Sequence, residues 1–277
     1  MASGRIAGNA TMRTTLLRCG HAAMLALTLS VALAAHAQSA SDDANKSNNP
    51  LNPAPSLNLQ NYYSPRVYDT NVHTNDFLLR GTLPVLPGKL LGVPQILRAT
   101  VPVSTRPQAD GSYTTGLGDI NIFDIFLLKE HGTQIGVGPL LTMPTATSPE
   151  LGTGKWQAGL AAVVVDPSPA RLLGALVQWQ HSFAGQSARP TVQTLTFQPF
   201  GIFNFPGGWY VRSTGVWTFN LQNDAYYIPV GLGFGKAWKE GKTIMNAFIE
   251  PQYSVAHHGP GQPQWTVFAG LNMTFGK

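Results

Sequence analysis

Five charged residues are the first candidates for chemistry in this 277-residue chain: Arg80, Arg98, Asp119, Arg212 and Glu250. Arg80, Arg98, Arg212 and Glu250 each fall in the polar phase of a stretch where apolar and polar residues alternate. Opposite charges converging on an enclosed interior either pair as salt bridges or line a water path. The expectation is a cross-lumen network in which the three arginines meet Glu250 and Asp119. Nucleophilic hydrolysis is the competing chemistry, and it needs a serine beside a histidine base that a third polar group orients. His181-Ser182 is the best local pair. Neighbouring residues on a strand point to opposite faces, so these two cannot react together. No Gly-x-Ser-x-Gly signature accompanies them, and no enzyme is expected. His257-His258 lies in a Gly/Pro loop without a third ligand, so neither a metal nor another cofactor is expected. The sequence holds no phosphate loop, dinucleotide fingerprint or basic nucleic-acid patch, and nucleic acid is not an expected partner.

The elements that carry these residues are strands. The clearest is the last, Trp265 to Phe275, in which Trp265, Val267, Ala269, Leu271, Met273 and Phe275 alternate with Thr266, Phe268, Gly270, Asn272 and Thr274. Period-2 alternation over that length is a β-strand. It also matches the roughly 9–11 residues a tilted strand needs to cross a bilayer. Twelve such segments follow one another: 57–63, 76–85, 93–103, 118–129, 133–143, 156–165, 171–183, 191–203, 209–219, 227–237, 243–255 and 265–275. The fourth is ambiguous in phase, since Asp119 and Asn121 lie on one face and Asp124 on the other; a bulge is expected between them. Pro102, Pro139, Pro199, Pro229 and Pro251 fall within these segments and remove ladder donors.

Long connections (64–75, 104–116, 144–155, 184–190, 220–226, 256–263) alternate with short ones (86–92, 130–132, 166–170, 204–208, 238–242). Outer-membrane barrels have short periplasmic turns and long extracellular loops. An even strand number starting in the periplasm makes every long connection extracellular. Lipid tolerates no open sheet edge, so the first strand must pair with the last.

Composition agrees. Charged residues make up 11% of the chain, against about 25% in ordinary soluble domains. Arg13 and Arg18 precede an apolar run from Ala22 to Ala34, and Ala35-His36-Ala37 follows, so residues 1–37 are expected to be a signal peptide cleaved after Ala37. Cleavage would remove Cys19, the single cysteine, and lower the formal charge from +5 to +2. Residues 38–56, rich in Asn, Ser and Pro, are expected to be a flexible periplasmic leader. Residues 57–277 then form an all-β fold, a transmembrane antiparallel up-and-down β-barrel of about twelve strands in the cell outer membrane.

The segments Ile228-Pro229-Val230-Gly231-Leu232-Gly233-Phe234-Gly235-Lys236, Lys239-Glu240-Gly241-Lys242 and Pro251-Gln252-Tyr253-Ser254-Val255, with Trp265 and the final strand, carry a resemblance. So do Leu57-Asn58-Leu59-Gln60-Asn61-Tyr62-Tyr63-Ser64-Pro65 and Leu78-Leu79-Arg80-Gly81-Thr82-Leu83-Pro84. Together they resemble the outer-membrane family named after the meta pathway of phenol degradation. That resemblance implies uptake of small solutes, aromatic or hydrophobic ones among them. The expected partners are outer-membrane lipid, a small-molecule solute and the barrel-assembly machinery. Alternative roles are an outer-membrane lipid hydrolase or a structural barrel with a filled lumen.

Overall fold

The computed structural model describes residues 39–88 and 92–276. The expected signal segment 1–37 lies outside the described residues. Fifteen strand segments occur in chain order: β1 (Ser56–Val67), β2 (Thr74–Val85), β3 (Gln95–Pro107), β4 (Tyr113–Leu117) and β5 (Ile120–Lys129). Then come β6 (Gln134–Met143), β7 (Lys155–Ser168), β8 (Arg171–Gly185), β9 (Gln193–Asn204) and β10 (Trp209–Ser213). The last are β11 (Trp217–Asn220), β12 (Tyr226–Gly231), β13 (Gly233–Glu240), β14 (Thr243–His258) and β15 (Pro263–Phe275). Three wall strands are each built from two segments, β4 with β5, β10 with β11, and β12 with β13, because both members of a pair bond one shared neighbour, β3, β9 and β14 respectively. The wall is therefore a twelve-strand antiparallel barrel. It closes where β1 pairs with β15 in continuous register from Ser56↔Thr274 to Tyr63↔Val267.

The alternation decides which face each side chain takes. Leu160 is 64% exposed and Leu232 71%, and Leu83, Phe234 and Val255 share that outer apolar surface. Large apolar groups in such a belt need a hydrocarbon solvent. Trp156, Trp209 and Trp265 stand at strand ends on the same face, where interfaces favour aromatics. The barrel is an outer-membrane protein. Asp124 departs from the pattern, lying outward between the inward Phe123 and Ile125, with one carboxylate oxygen making no hydrogen bond.

Two of the five strand prolines, Pro139 and Pro229, sit at irregularities of the wall ladder, whereas Pro102, Pro199 and Pro251 lie in continuous register. β5 and β6 pair at Phe123↔Leu140 and again at Phe126↔Val137, and Pro139 falls in the skipped stretch. Pro229 sits at the register shift between β12 and β14. Between Arg212↔Gly233 and Thr218↔Tyr227 no bridge joins the two composite strands. In the fourth wall strand the break falls at residues 118–119, and the register shift lies between Leu127 and Lys129. The bulge expected between Asn121 and Asp124 is thus displaced to either side.

Part of the expected flexible leader is ordered. Residues 39–48 are a helix, not a flexible tail, and Asp43, Ala44 and Asn45 are buried. The helix sits inside the barrel at the short-turn end. Asn45 donates to the Ser168 carbonyl at 2.7 Å and accepts from Asn204 at 2.8 Å. Asn49 donates to Gln134 at 2.8 Å, and Ser47 accepts from Asn246 at 2.9 Å. Lys239 pairs with Asp43 at 3.4 Å. Ala44 and Leu51 join a buried apolar ring of Ile96, Ile125, Leu127, Val163, Val165, Leu172 and Ile202. That ring explains the plug: the barrel interior is polar higher up but apolar near the turns, and an uncovered apolar ring would face water.

Candidate functional site

Above the plug lies a cavity of about 440 Å³. Its floor is formed by residues from Lys46 to Ala54, and its walls by the inward residues of β1, β2, β3, β5, β8, β9, β10 and β15. Most wall groups are amides and hydroxyls, such as Asn58, Gln60, Thr100, Gln178, Thr196 and Asn272. Aromatic faces add Tyr62, Phe123, Phe200 and Phe268. A size of this order and a mixed lining suit a small organic molecule.

Arg80, Arg98 and Arg212 all face this cavity. Arg212 meets Glu250, whose carboxylate is fully buried behind it, at 2.8 Å. Glu250 also accepts the Thr214 amide and the Thr214 hydroxyl, both at 2.7 Å, and the Gln252 amide at 3.0 Å. The Arg212 guanidinium lies 3.7 Å from the Phe248 ring centre and 5.2 Å from that of Phe268, a cation–π arrangement. Thr214 follows β10 directly, where the ladder is broken. Its amide would be orphaned in the wall, and Glu250 supplies the missing acceptor. The ion pair therefore repairs a break in the hydrogen-bonded wall.

Space for this cluster comes from glycine. A Cβ on Gly233 would lie 2.6 Å from the Glu250 Cβ, and one on Gly231 would lie 2.6 Å from the Gln252 side chain. Gly231 and Gly233 thus leave room for Gln252 and Glu250 of β14, and Gly235 leaves room for the Tyr210 ring of β10.

Arg80 and Arg98 stand apart from that pair. Arg80 donates to Gln60 at 2.8 Å. Arg98 donates to the Thr82 hydroxyl at 3.0 Å and to the Pro50 carbonyl at 3.4 Å, and lies 5.1 Å from the Phe123 ring centre. Asp119 is not in the cavity. Its carboxylate accepts the Thr153 amide at 2.7 Å, the Thr153 hydroxyl at 2.8 Å and the Ala146 amide at 3.3 Å, so it staples the 144–154 loop. Arg189 braces the same loop from the carbonyls of Pro149, Gly152 and Thr153. The expected single network is thus two separate clusters and a loop staple, because the carriers are spread around the barrel wall.

Sequence reasoning missed Asp76 and Arg106. Arg106 Nη2 donates to both Asp76 oxygens, at 2.8 and 2.9 Å. Arg106 was assigned to a loop, but β3 runs on to Pro107. The signal was present: Arg106 is in phase with Arg98, and Asp76 with Arg80. His181 and Ser182 take opposite faces, His181 beside Trp179 and Ser182 accepting the Val192 amide at 3.0 Å. His257 and His258 belong to β14, not to a loop, and lie against the rings of Tyr68 and Tyr226.

No family model matches the chain. No curated protein matches it either. Solved structures do. An outer membrane channel of Pseudomonas putida F1, described as COG4313, aligns with a TM-score of 0.59 at 13% identity, covering 80% of this chain and 95% of that one. The fold is that of an outer-membrane β-barrel. The transport unit of the Escherichia coli autotransporter AIDA-I aligns with a TM-score of 0.44 at 8% identity over 87% of this chain and 98% of its own. Outer membrane phospholipase A of Escherichia coli aligns with a TM-score of 0.38 at 11% identity, covering 81% and 93%. These two likenesses are too weak to carry an argument.

Proposed function

We propose that this protein is an outer-membrane channel or transporter for uptake of small solutes, aromatic or hydrophobic ones among them. The observation that carries the reading is the cavity of about 440 Å³ inside the barrel, lined by amides, hydroxyls, arginines and aromatic rings. A barrel kept only for architecture has no need of an interior of this size and mixed polarity; twelve strands could be filled by side chains. The channel from Pseudomonas putida supports the reading by its shared fold. The resemblance to the phenol-degradation family favours aromatic solutes. The chain is exported by residues 1–37, inserted by the barrel-assembly machinery and surrounded by outer-membrane lipid. It acts without catalysis and without a cofactor.

The test is liposome swelling with the mature protein reconstituted, using neutral solutes of graded size and apolarity. Entry of solutes that fit the cavity, with exclusion of larger ones, is the expected result. Vesicles that stay sealed to every solute would favour the filled structural barrel, for which the lumenal helix 39–48 is the specific argument.

A further inference from the structure

The interior faces of β2, β3 and β10 carry four arginines, and the chain treats them in two ways. Arg212 is matched by Glu250 and Arg106 by Asp76. Arg80 and Arg98 form no ion pair with a carboxylate among the described residues. Among the described residues that line the cavity there is no Asp or Glu. The two side chains belong to one patch: Arg80 is opposite Thr100, and Arg98 opposite Thr82, so they are diagonal neighbours on adjacent strands. Diagonal positions of this kind lie roughly 7–8 Å apart. Between them the two guanidiniums make three hydrogen bonds to protein, although each carries five N–H donors. The Arg80 Nε is fully enclosed and has no hydrogen-bond partner among the described residues. Two adjacent half-buried cations repel each other, and a chain that pairs its other inward arginines has left these two for something else to neutralise.

The rest of the patch describes what that something looks like. Asn58, Thr100 and Asn121 line the same cavity near the two arginines and offer further polar contacts. Phe123 is the cross-strand partner of Arg98 and presents its ring beside the guanidinium. Planar guanidiniums favour planar oxyanions, which they grip through two parallel N–H···O bonds. The adjoining ring favours an apolar body on that anion. Exposed loop carboxylates do not cancel the patch. Asp110 and Glu150, both held below the usual carboxylate range by serine hydrogen bonds, lie at exposed loop positions beyond the strands, and charges in water are screened within about 8 Å.

We propose that Arg80 and Arg98 form a binding site for the carboxylate of a small aromatic carboxylate solute inside the barrel. This deepens the uptake reading and rests on it for its physiological sense, but binding can be measured without transport. The mature protein, folded in detergent, is titrated calorimetrically with sodium benzoate and with benzamide, its uncharged counterpart, at low ionic strength. Saturable benzoate binding is expected, with benzamide weaker by roughly tenfold or more. The double variant Arg80→Gln/Arg98→Gln should lose benzoate binding, and Arg98→Lys should keep part of it. Heat-shifted gel migration identifies folded material, and the Arg98→Lys variant serves where the double variant does not fold. Equal affinity of the folded wild type for benzoate and benzamide overturns the proposal, as does no binding of benzoate at all. Swelling assays with the same two solutes then separate the claims. Benzoate that binds but never enters vesicles leaves the site standing and removes the channel.

Discussion

At the residue scale, Glu250 does the most for its size. It neutralises Arg212, satisfies the Thr214 amide at the ladder break and orders Gln252. Removing one partner of a buried ion pair strands the other, which costs about 3–5 kcal/mol. Glu250→Ala is therefore expected to destabilise the barrel by about that amount. Glu250→Gln should cost less, because an amide oxygen still accepts from Thr214. Urea titration of the folded, detergent-bound protein measures both; an alanine variant as stable as wild type would remove the repair role argued for this carboxylate. Gly233→Ala attacks the same cluster from the opposite side, since its Cβ would lie 2.4 Å from the Ile249 carbonyl oxygen and 2.6 Å from the Glu250 Cβ. Overpacking of this kind costs about 1–3 kcal/mol. The same urea titration checks it.

The element that most changes the picture is the lumenal helix. It is short and polar, and nothing in its composition demands a helix in isolation. Its order comes from the barrel: hydrogen bonds to the Ser168 carbonyl, Asn204 and Asn246, and an apolar ring that accepts Ala44, with Asn49 and Leu51 just beyond the helix bonding Gln134 and joining the same ring. Deleting residues 39–48 should raise single-channel conductance in planar bilayers, because the helix and the part of the cavity floor formed by Lys46, Ser47 and Asn48 are lost. A deletion that conducts no better than wild type would show that the constriction lies elsewhere.

For the whole molecule, the governing fact is a wall whose two faces meet different solvents. Leu160 of β7 faces hydrocarbon, whereas Gln178 of the neighbouring β8 faces the cavity. An arginine near the bilayer midplane on the lipid face costs about 2–4 kcal/mol, whereas lumen substitutions chiefly alter selectivity. Leu160→Arg should thus lower the folding stability in lipid vesicles by that order, and Gln178→Arg should leave it nearly unchanged. Equal penalties at the two positions would contradict the orientation of the wall. Asp124 is a built-in exception on the outer face, and no compensating contact in the structure explains it.

From residue types alone, the alternation in Trp265–Phe275 and its predecessors gave about twelve strands, the inward and outward faces of all but the fourth, and the pairing of first with last. Those properties are local or follow from lipid's intolerance of a free edge, so one-dimensional order suffices. Arg80, Arg98, Arg212 and Glu250 were legible as inward for the same reason. Which of them meet was not legible, because that depends on strand register and on position around a closed wall. Arg212 finds Glu250 across an intervening strand, Asp119 is drawn away by Thr153, and Arg80 with Arg98 is left to share one patch. The helix at 39–48 was also decided only by the fold: a polar segment reads as unstructured until a barrel with an apolar lower interior surrounds it.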